Sequence, residues 1–88
     1  MSLHLDFSEQ AKKDIEYHKK SGNKALLKKM LVLLNELTEH PFEGTGKPEA
    51  LKHQLTGMWS RRINQEHRIV YEVTGEIIYV YSLKGHYQ

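Results

Sequence analysis

The chain has 88 residues, no cysteine and a formal net charge of +2, which is less basic than many DNA-binding domains. The length fits one domain over residues 1–88, and the absence of cysteine excludes disulfides and thiolate metal sites. No apolar run approaches the roughly 20 residues that span a bilayer and no signal peptide is evident, so we expect a cytoplasmic protein without a membrane partner.

The N-terminal residues predict a short strand and then a helix. Leu3, Leu5 and Phe7 alternate with polar residues, which is typical of a strand. Ser8 follows as a candidate N-cap. The helix that it begins runs to about residue 20, where Ser21-Gly22 stops it.

A second helix with a wide apolar face is predicted next. Asn23 can cap it, and it must end near His40 because Pro41 disfavours the α conformation in the preceding residue. Its apolar residues recur at helical spacing in two adjacent rows: Leu26, Met30, Leu33 and Leu37, then Leu27, Leu31 and Leu34. Val32 lies off this face, either as a tolerated exposed valine or as a contact with a partner chain.

The C-terminal third predicts an antiparallel meander. Segments 58–64, 67–74 and 77–83 are rich in β-branched and aromatic residues, and their connections have the length of hairpin loops. Residues 54–56 are a candidate for one further short piece. The predicted fold is therefore α+β: an N-terminal short strand, a helical hairpin, and a three- to four-stranded antiparallel sheet.

Strand alternation predicts which side chains share a face of this sheet. A three-residue loop at 65–67 would pair Asn64 with Arg68 and place Arg62 opposite Val70. Arg62, Asn64 and Arg68 would then share an open face, whereas a two-residue loop would separate the two arginines. The apolar side chains of these strands would pack under the helices on the other face: Trp59, Ile63, Ile69, Tyr71 and Val73.

The stretch 41–68 concentrates side chains that could carry chemistry. Its glycines and prolines exclude a continuous helix. Its cations are of the kind that handle phosphate: Lys47, Lys52, Arg61, Arg62 and Arg68. Glu49 lies among these cations, which would keep it ionised; it is either part of a site or a loop acid paired with Lys52. Arg62 and Arg68 either grip a phosphate bidentately or are ordinary surface arginines.

His86 is third from the end of the chain. Histidine is well suited to proton exchange near neutral pH, but a terminal histidine is often frayed. It gains a role only if the last strand carries it beside the arginines. No histidines have metal-ligand spacing, and we expect no metal and no other cofactor. A carboxylate base, a histidine acid and several cations suit cleavage of RNA through its 2′-hydroxyl.

Several long motifs resemble the YoeB (Txe) family, toxins of bacterial type II toxin–antitoxin modules within the RelE/ParE superfamily. The resemblance covers almost the whole chain, although the N-terminal half matches mainly in pattern. The motifs are Pro-Phe-Glu-Gly-Thr-Gly-Lys-Pro-Glu at 41–49, Leu-Lys-His at 51–53, Gly-Met-Trp-Ser-Arg-Arg-Ile at 57–63, Glu-His-Arg-Ile-Val-Tyr at 66–71 and Gly-His-Tyr at 85–87.

The resemblance implies a ribosome-dependent mRNA endoribonuclease that cuts in the ribosomal A site. It implies as partners the bacterial ribosome with its mRNA, a YefM/Phd-type antitoxin and a second copy in a homodimer; operator DNA would be contacted only through the antitoxin complex. Glu49 matches the family's general base, His86 its general acid and Arg68 the arginine that stabilises the transition state. The matches to supporting positions that hold phosphate or base are Lys52, Arg62 and Tyr87, with Lys47 in the same motif.

Two departures from the family pattern and two rival functions remain. Met58 stands where the family often has a bulkier residue, and Gln88 extends the tail that bears His86. One rival is a toxin of the same fold that binds a protein target without catalysis; the set of Glu49, Arg68 and His86 argues against it. The other is a ribonuclease that acts without the ribosome, which the net charge of only +2 disfavours.

Overall fold

The computed structural model describes residues 3–85 and has the predicted α+β architecture. In chain order the elements are β1 (His4–Phe7), α1 (Glu9–Ser21), α2 (Lys24–Glu39), β2 (Glu49–Ala50), a 3-10 helix (His53–Leu55), β3 (Trp59–Arg62), β4 (Arg68–Thr74) and β5 (Ile77–Ser82). Within residues 3–85, neither α-helix has the length and apolar character needed to cross a membrane.

The strands form one five-stranded sheet in the order β1-β5-β4-β3-β2. β2 to β5 pair antiparallel, whereas β1 pairs parallel with β5. The backbone N–H of His4 donates to the Glu76 carbonyl at 2.8 Å, and that of Ser8 donates to the Val80 carbonyl at 2.9 Å. The first strand was predicted, and the structure shows that it forms an edge of the sheet beside the last strand.

The prediction of a further strand piece at 54–56 is wrong. Leu55 N–H donates to the Lys52 carbonyl and Thr56 N–H to the His53 carbonyl, both at 3.1 Å. These local bonds form the 3-10 helix and use the N–H groups that a strand would offer to its neighbour. The additional antiparallel strand is instead β2, whose two residues pair with β3.

Both helices begin at the predicted caps. The Ser8 hydroxyl accepts a hydrogen bond from Ala11 N–H and the Asn23 side chain accepts one from Leu26 N–H, both at 3.0 Å. These bonds satisfy donors that a first helical turn leaves unpaired. α1 ends at Gly22, whose φ of 72° is a left-handed conformation that glycine adopts without steric cost. The two helices therefore form the predicted hairpin.

The core lies between the helical hairpin and the inner face of the sheet. α2 buries the predicted first row and one residue of the second: Leu26, Met30, Leu33, Leu34 and Leu37. Leu31 was predicted on this face, but it is 62% exposed. Its position on the helix lies about 120° around the axis from Leu37, beyond the arc that a sheet on one side can cover. Val32 is also exposed, as its position predicted.

The inner face of the sheet carries the apolar side chains that alternation predicted. Ile63, Ile69 and Tyr71 are buried in the core cluster, and Trp59 and Val73 pack against it. The β-branched and aromatic side chains of the meander therefore supply the surface on which α1 and α2 rest.

The register between β3 and β4 differs by two residues from the prediction. Arg62 pairs with Arg68 and Ser60 with Val70, whereas the sequence suggested that Asn64 pairs with Arg68 and Arg62 with Val70. A shift of two residues leaves every side chain on its original face. The conclusion that Arg62 and Arg68 share the outer face is therefore confirmed, although the three-residue loop is wrong.

The turn chemistry of Asn64 explains the longer connection. Its side-chain oxygen accepts hydrogen bonds from the backbone N–H groups of Glu66 and His67, both at 2.8 Å, which is a favoured use of asparagine in turns. The N–H of Ile63 donates to the His67 carbonyl at 2.9 Å and closes the loop. Asn64 therefore belongs to the turn at 63–67 and not to β3.

Two leucine-to-alanine variants of α2 test its orientation. Leu33→Ala should lower the free energy of unfolding by about 2–5 kcal/mol, because Leu33 is fully buried. Leu31→Ala makes the same chemical change on the exposed side and should alter it by no more than about 0.5 kcal/mol. Urea unfolding followed by circular dichroism measures both; equal losses would contradict the assigned burial.

Candidate functional site

Four polar residues share the outer face of the sheet, away from the helices. Glu49 is paired with Ser60 across β2 and β3, and Arg62 with Arg68 across β3 and β4. Directly opposed residues project to one face, as do alternate residues of one strand. The structure therefore brings three of the predicted site residues together, Glu49, Arg62 and Arg68, around the hydroxyl of Ser60.

Arg68 is the half-buried member of this face, whereas Glu49 and Arg62 are exposed. The Nη1 of Arg68 donates to Ser60 Oγ at 3.3 Å, which directs its guanidinium toward the strand that pairs with Glu49. A cation that is partly removed from water attracts an anion more strongly than a fully solvated one. The Arg68 guanidinium is thus suited to binding an anion on the outer face.

The C-terminal segment returns to Arg68. The backbone N–H of Arg68 donates to the carbonyl of Gly85 at 3.0 Å, and this carbonyl belongs to the peptide bond that joins Gly85 to His86. His86 and Tyr87, the remaining predicted site residues of the tail, lie outside the described residues.

Arg61 belongs to the opposite face. The sequence analysis grouped it with the cations that handle phosphate, and that interpretation is wrong. Its side chain is 0% exposed, and its Nη1 lies 2.7 Å from Oε1 of Glu36 on α2. The physical reason is strand alternation: β3 directs Arg62 outward and therefore Arg61 inward, on the side of its partner Ile69.

The buried guanidinium of Arg61 holds the loop that leads to β2. It donates to the backbone carbonyls of His40, Glu43 and Thr45. Oε1 of Glu36 also accepts the Thr45 N–H at 2.6 Å. Several backbone groups of the loop therefore converge on the ion pair of the buried Arg61 with the partly exposed Glu36, which fixes the path of a segment that has no regular secondary structure.

Two more hydrogen bonds secure the same loop at its ends. The hydroxyl of Tyr71 donates to the Pro41 carbonyl, and Arg62 N–H donates to the Gly46 carbonyl at 2.7 Å. A Cβ at Gly46 would lie 2.8 Å from the Arg62 carbonyl oxygen, so only glycine permits this approach. The loop is thus attached to β3 three residues before Glu49.

The pKa of Glu36 is lowered from its ordinary value. Burial is the largest single influence and acts to raise it, but the hydrogen bonds from Thr45 and Arg61 and the charge of Arg61 together outweigh burial. Glu36 is therefore ionised at neutral pH and balances the charge of the buried arginine.

The two predicted lysines flank β2. Lys47 and Lys52 are exposed, and Lys47 has a φ of 52° immediately before Pro48. An open groove of about 680 Å³ runs along residues 49–55. Glu49 and Lys52 therefore line one concave surface, with Lys47 in the loop at its upstream end.

Ser60 was not predicted as part of the site. Its parity with Arg62 was visible in the sequence, because the two are alternate residues of one strand. Its pairing with Glu49 was not, because no sequence pattern indicated the two-residue strand β2. Predicting such a contact requires the pairing register of the two strands, and the register of β2 with β3 depends on the loop that Arg61 holds.

The chain matches, over residues 7–87, the family of YoeB-like toxins of bacterial type II toxin–antitoxin systems. The match begins at Phe7, the last residue of β1, and includes both helices, strands β2 to β5, and Glu49, Ser60, Arg62 and Arg68 of the outer face. The class of protein is therefore a toxin of such a system.

Individual relatives agree with this class. Toxin YoeB of Escherichia coli (strain K12) is 42% identical over 85 residues, which cover 97% of this chain and 100% of the relative. The structure of a YoeB dimer from Staphylococcus aureus has 44% identity and a TM-score of 0.86, covering 99% of this chain and 100% of that one. A YoeB–YefM complex from the same species has 45% identity and a TM-score of 0.84 with the same coverage.

The chain belongs to the YoeB toxin family, and its general activity is that of an endoribonuclease. The family resemblance of the motifs is thereby confirmed, as is the toxin function that the resemblance implied.

Two neighbouring arginines test the role of the ion pair between Arg61 and Glu36. Arg61→Ala should lower the free energy of unfolding by about 3–5 kcal/mol, because it leaves Glu36 and the loop carbonyls without their partner. Arg62→Ala, one residue along and exposed, should change it by no more than about 0.5 kcal/mol. Thermal unfolding of both variants measures these changes, and a larger loss of stability for Arg62→Ala than for Arg61→Ala would contradict the structure.

Glu36 makes the stability depend on pH in the acid range. Because its pKa is lowered on folding, its contribution is present above the unfolded value of 4.5 and is lost as the pH falls through the folded value. Glu36→Gln should therefore be less stable than the wild type at pH 7, and the gap should narrow below about pH 4.5. Urea titrations from pH 7 to pH 3 measure the difference in stability between the variant and the wild type; a difference that does not change with pH would contradict the lowered pKa of Glu36.

Proposed function

We propose that this toxin cleaves mRNA in the A site of the bacterial ribosome by metal-independent acid–base chemistry, and thereby inhibits translation. One observation carries the proposal: Glu49, Arg62 and Arg68 lie on one face of the sheet, and the backbone N–H of Arg68 binds the carbonyl of Gly85, the residue before His86. A base, cations for a phosphate and the attachment point of an acid thus meet at one place.

Glu49 is the proposed general base. Its exposed carboxylate takes the proton of a ribose 2′-hydroxyl, and the resulting oxygen forms a bond to the adjacent phosphorus. The requirement for a 2′-hydroxyl restricts the substrate to RNA. The 5′-oxygen leaves with the bonding electron pair, and the other product carries a 2′,3′-cyclic phosphate.

Arg68 and His86 complete the proposed reaction. Negative charge grows on the phosphoryl oxygens as the new bond forms, and the half-buried guanidinium of Arg68, oriented by Ser60, stabilises it. His86 donates a proton to the leaving 5′-oxygen. Proton removal at Glu49 and proton delivery at His86 balance, so the reaction as written needs no further proton donor or acceptor.

The remaining cations are proposed to hold the substrate. Arg62, opposite Arg68, binds a neighbouring phosphate with its planar guanidinium. Lys52 lines the groove beside Glu49, and Lys47 stands upstream of it; both contact the RNA backbone. Tyr87 is proposed to contact a base.

The proposed partners follow from the relatives. A YefM/Phd-type antitoxin neutralises the toxin, and a second copy forms a homodimer; the Staphylococcus aureus YoeB structures, described as a YoeB–YefM complex and a YoeB dimer, support both. As further partners we propose the bacterial ribosome and its mRNA, and therefore a location in the bacterial cytoplasm. Operator DNA is contacted only through the antitoxin complex, and residues 1–88 act as a single domain.

Cleavage mapping on a defined mRNA tests the proposal. The purified protein is assayed with and without programmed bacterial ribosomes, beside Glu49→Ala and the control Glu76→Ala, whose carboxylate is exposed in the turn between β4 and β5. Wild type and control should cut only within the A-site codon, and Glu49→Ala should be at least about 100-fold slower.

The other results are equally informative. Equal cutting of free RNA would replace ribosome dependence with a general ribonuclease activity. No cutting under either condition would contradict catalysis and favour a toxin that acts by binding a protein. Full activity of Glu49→Ala would exclude Glu49 as the base.

A further inference from the structure

Side chains from α1 hold the backbone beyond the end of β5. β5 ends at Ser82, and the next residue, Leu83, donates its N–H to Oδ2 of Asp14 at 2.9 Å. The Leu83 carbonyl accepts a hydrogen bond from Nε2 of His18 at 2.8 Å. Asp14 and His18 lie one helical turn apart and are only 3% and 1% exposed. Both backbone polar groups of Leu83 are therefore bound by buried side chains.

Gly85 is held from the other side, by the start of β4. Its N–H donates to Nδ1 of His67 at 2.9 Å, and its carbonyl accepts the Arg68 N–H at 3.0 Å. Because the amide N–H is the donor, Nδ1 of His67 carries the lone pair and the ring proton resides on Nε2. Two consecutive residues, 67 and 68, thus bind both backbone polar groups of Gly85.

The His67 ring is itself fixed in place. It packs edge-on against the ring of His18, with 4.8 Å between the centroids and 73° between the planes. Its backbone N–H donates to the Asn64 side chain at 2.8 Å. The side chain that accepts the Gly85 N–H is therefore held by both the helix α1 and the turn at 63–67.

These contacts act where a chain would ordinarily fray. Beyond the last ladder bond of a strand, backbone groups are free to exchange their partners with water. Here the bonds to Leu83 and Gly85 set the position and direction of the backbone at the residue before His86. A general acid contributes only when its proton lies within hydrogen-bond reach of the leaving oxygen.

We propose that His67 is a positioning residue for His86: by accepting the Gly85 N–H on Nδ1, it directs the tail so that His86 reaches the substrate bound at Arg68. This inference rests on the proposed function. It assigns to His67 a role in the chemical step, exerted through the backbone of Gly85, without any contact between His67 and the RNA.

Two nearly isosteric substitutions test the accepting atom. Asparagine places an oxygen on Cγ, where the imidazole has Nδ1, and leucine places a methyl group there. His67→Leu should lower the single-turnover rate of A-site cleavage by about tenfold or more and leave the half-saturating concentration of ribosomes unchanged. His67→Asn should recover most of the rate. Equal rates for the two variants would overturn the proposal.

A double-mutant cycle separates positioning from general structure. In a His86→Ala background, His67→Leu should change the remaining rate by less than about twofold, because the group that it positions is absent. A residue that only stabilises the fold would lower the rate equally in both backgrounds, and that result would also overturn the proposal.

Amide exchange of Gly85 gives a readout that does not depend on cleavage. By NMR it should be about tenfold faster in His67→Leu than in the wild type, with the amides of β4 unchanged; unchanged exchange at Gly85 rejects the proposal. His67→Ala serves in the same measurement if the leucine variant does not fold.

Failure of the proposed function can be distinguished from failure of this inference. If the proposed function is wrong, the wild type does not cut on ribosomes, or His86→Ala cuts as fast as the wild type.

Discussion

The buried guanidinium of Arg61 is the constraint on which the functional face depends. All five of its N–H groups have acceptors: the Tyr71 hydroxyl, the Glu36 carboxylate and three loop carbonyls. A buried arginine is costly unless every donor is satisfied, so only a narrow set of loop conformations is compatible with it. The same set delivers Glu49 to the edge of β3, which means that a side chain inside the protein determines the geometry outside it.

Two adjacent arginines of β3 therefore lie on opposite faces of the sheet and have different roles. Arg61 faces the core and organises the loop, while Arg62 faces outward and pairs with Arg68. At the C-terminal end, the buried side chains of Asp14 and His18 bind the backbone of Leu83, and the backbone N–H of the half-buried Arg68 binds that of Gly85. Buried polar groups thus fix the backbone beneath the outer face, and exposed or half-buried side chains stand on that face.

Local signals in the sequence predicted the helices and most of the strands, whereas contacts between distant residues could not be predicted from it. Ser8 and Asn23 cap their helices as predicted because a cap needs only the next few residues. The alternation of β3 and β4 sorted the faces correctly, and it already implied that Arg61 shares the inner side with Ile63. The β3–β4 register could not be predicted, because it depends on how Asn64 turns the chain. Strand β2, and with it the pairing of Ser60 with Glu49, could not be predicted, because the loop before it is held by contacts of Arg61 with residues 16 to 25 positions away.

The place of β5 in the sheet has a consequence for when this toxin becomes a folded protein. β5 lies between β1 and β4, so the first strand finds its partner only in the last one, and the bonds of α1 to Leu83 also wait for it. Strands β3, β4 and β5 pair with their neighbours in the sequence, whereas the pairing of β1 with β5 spans nearly the whole described chain, and non-local pairing of this kind slows folding. A nascent chain that lacks its last residues has no completed sheet. The sheet is therefore complete only after β5 has left the ribosome on which the chain is made.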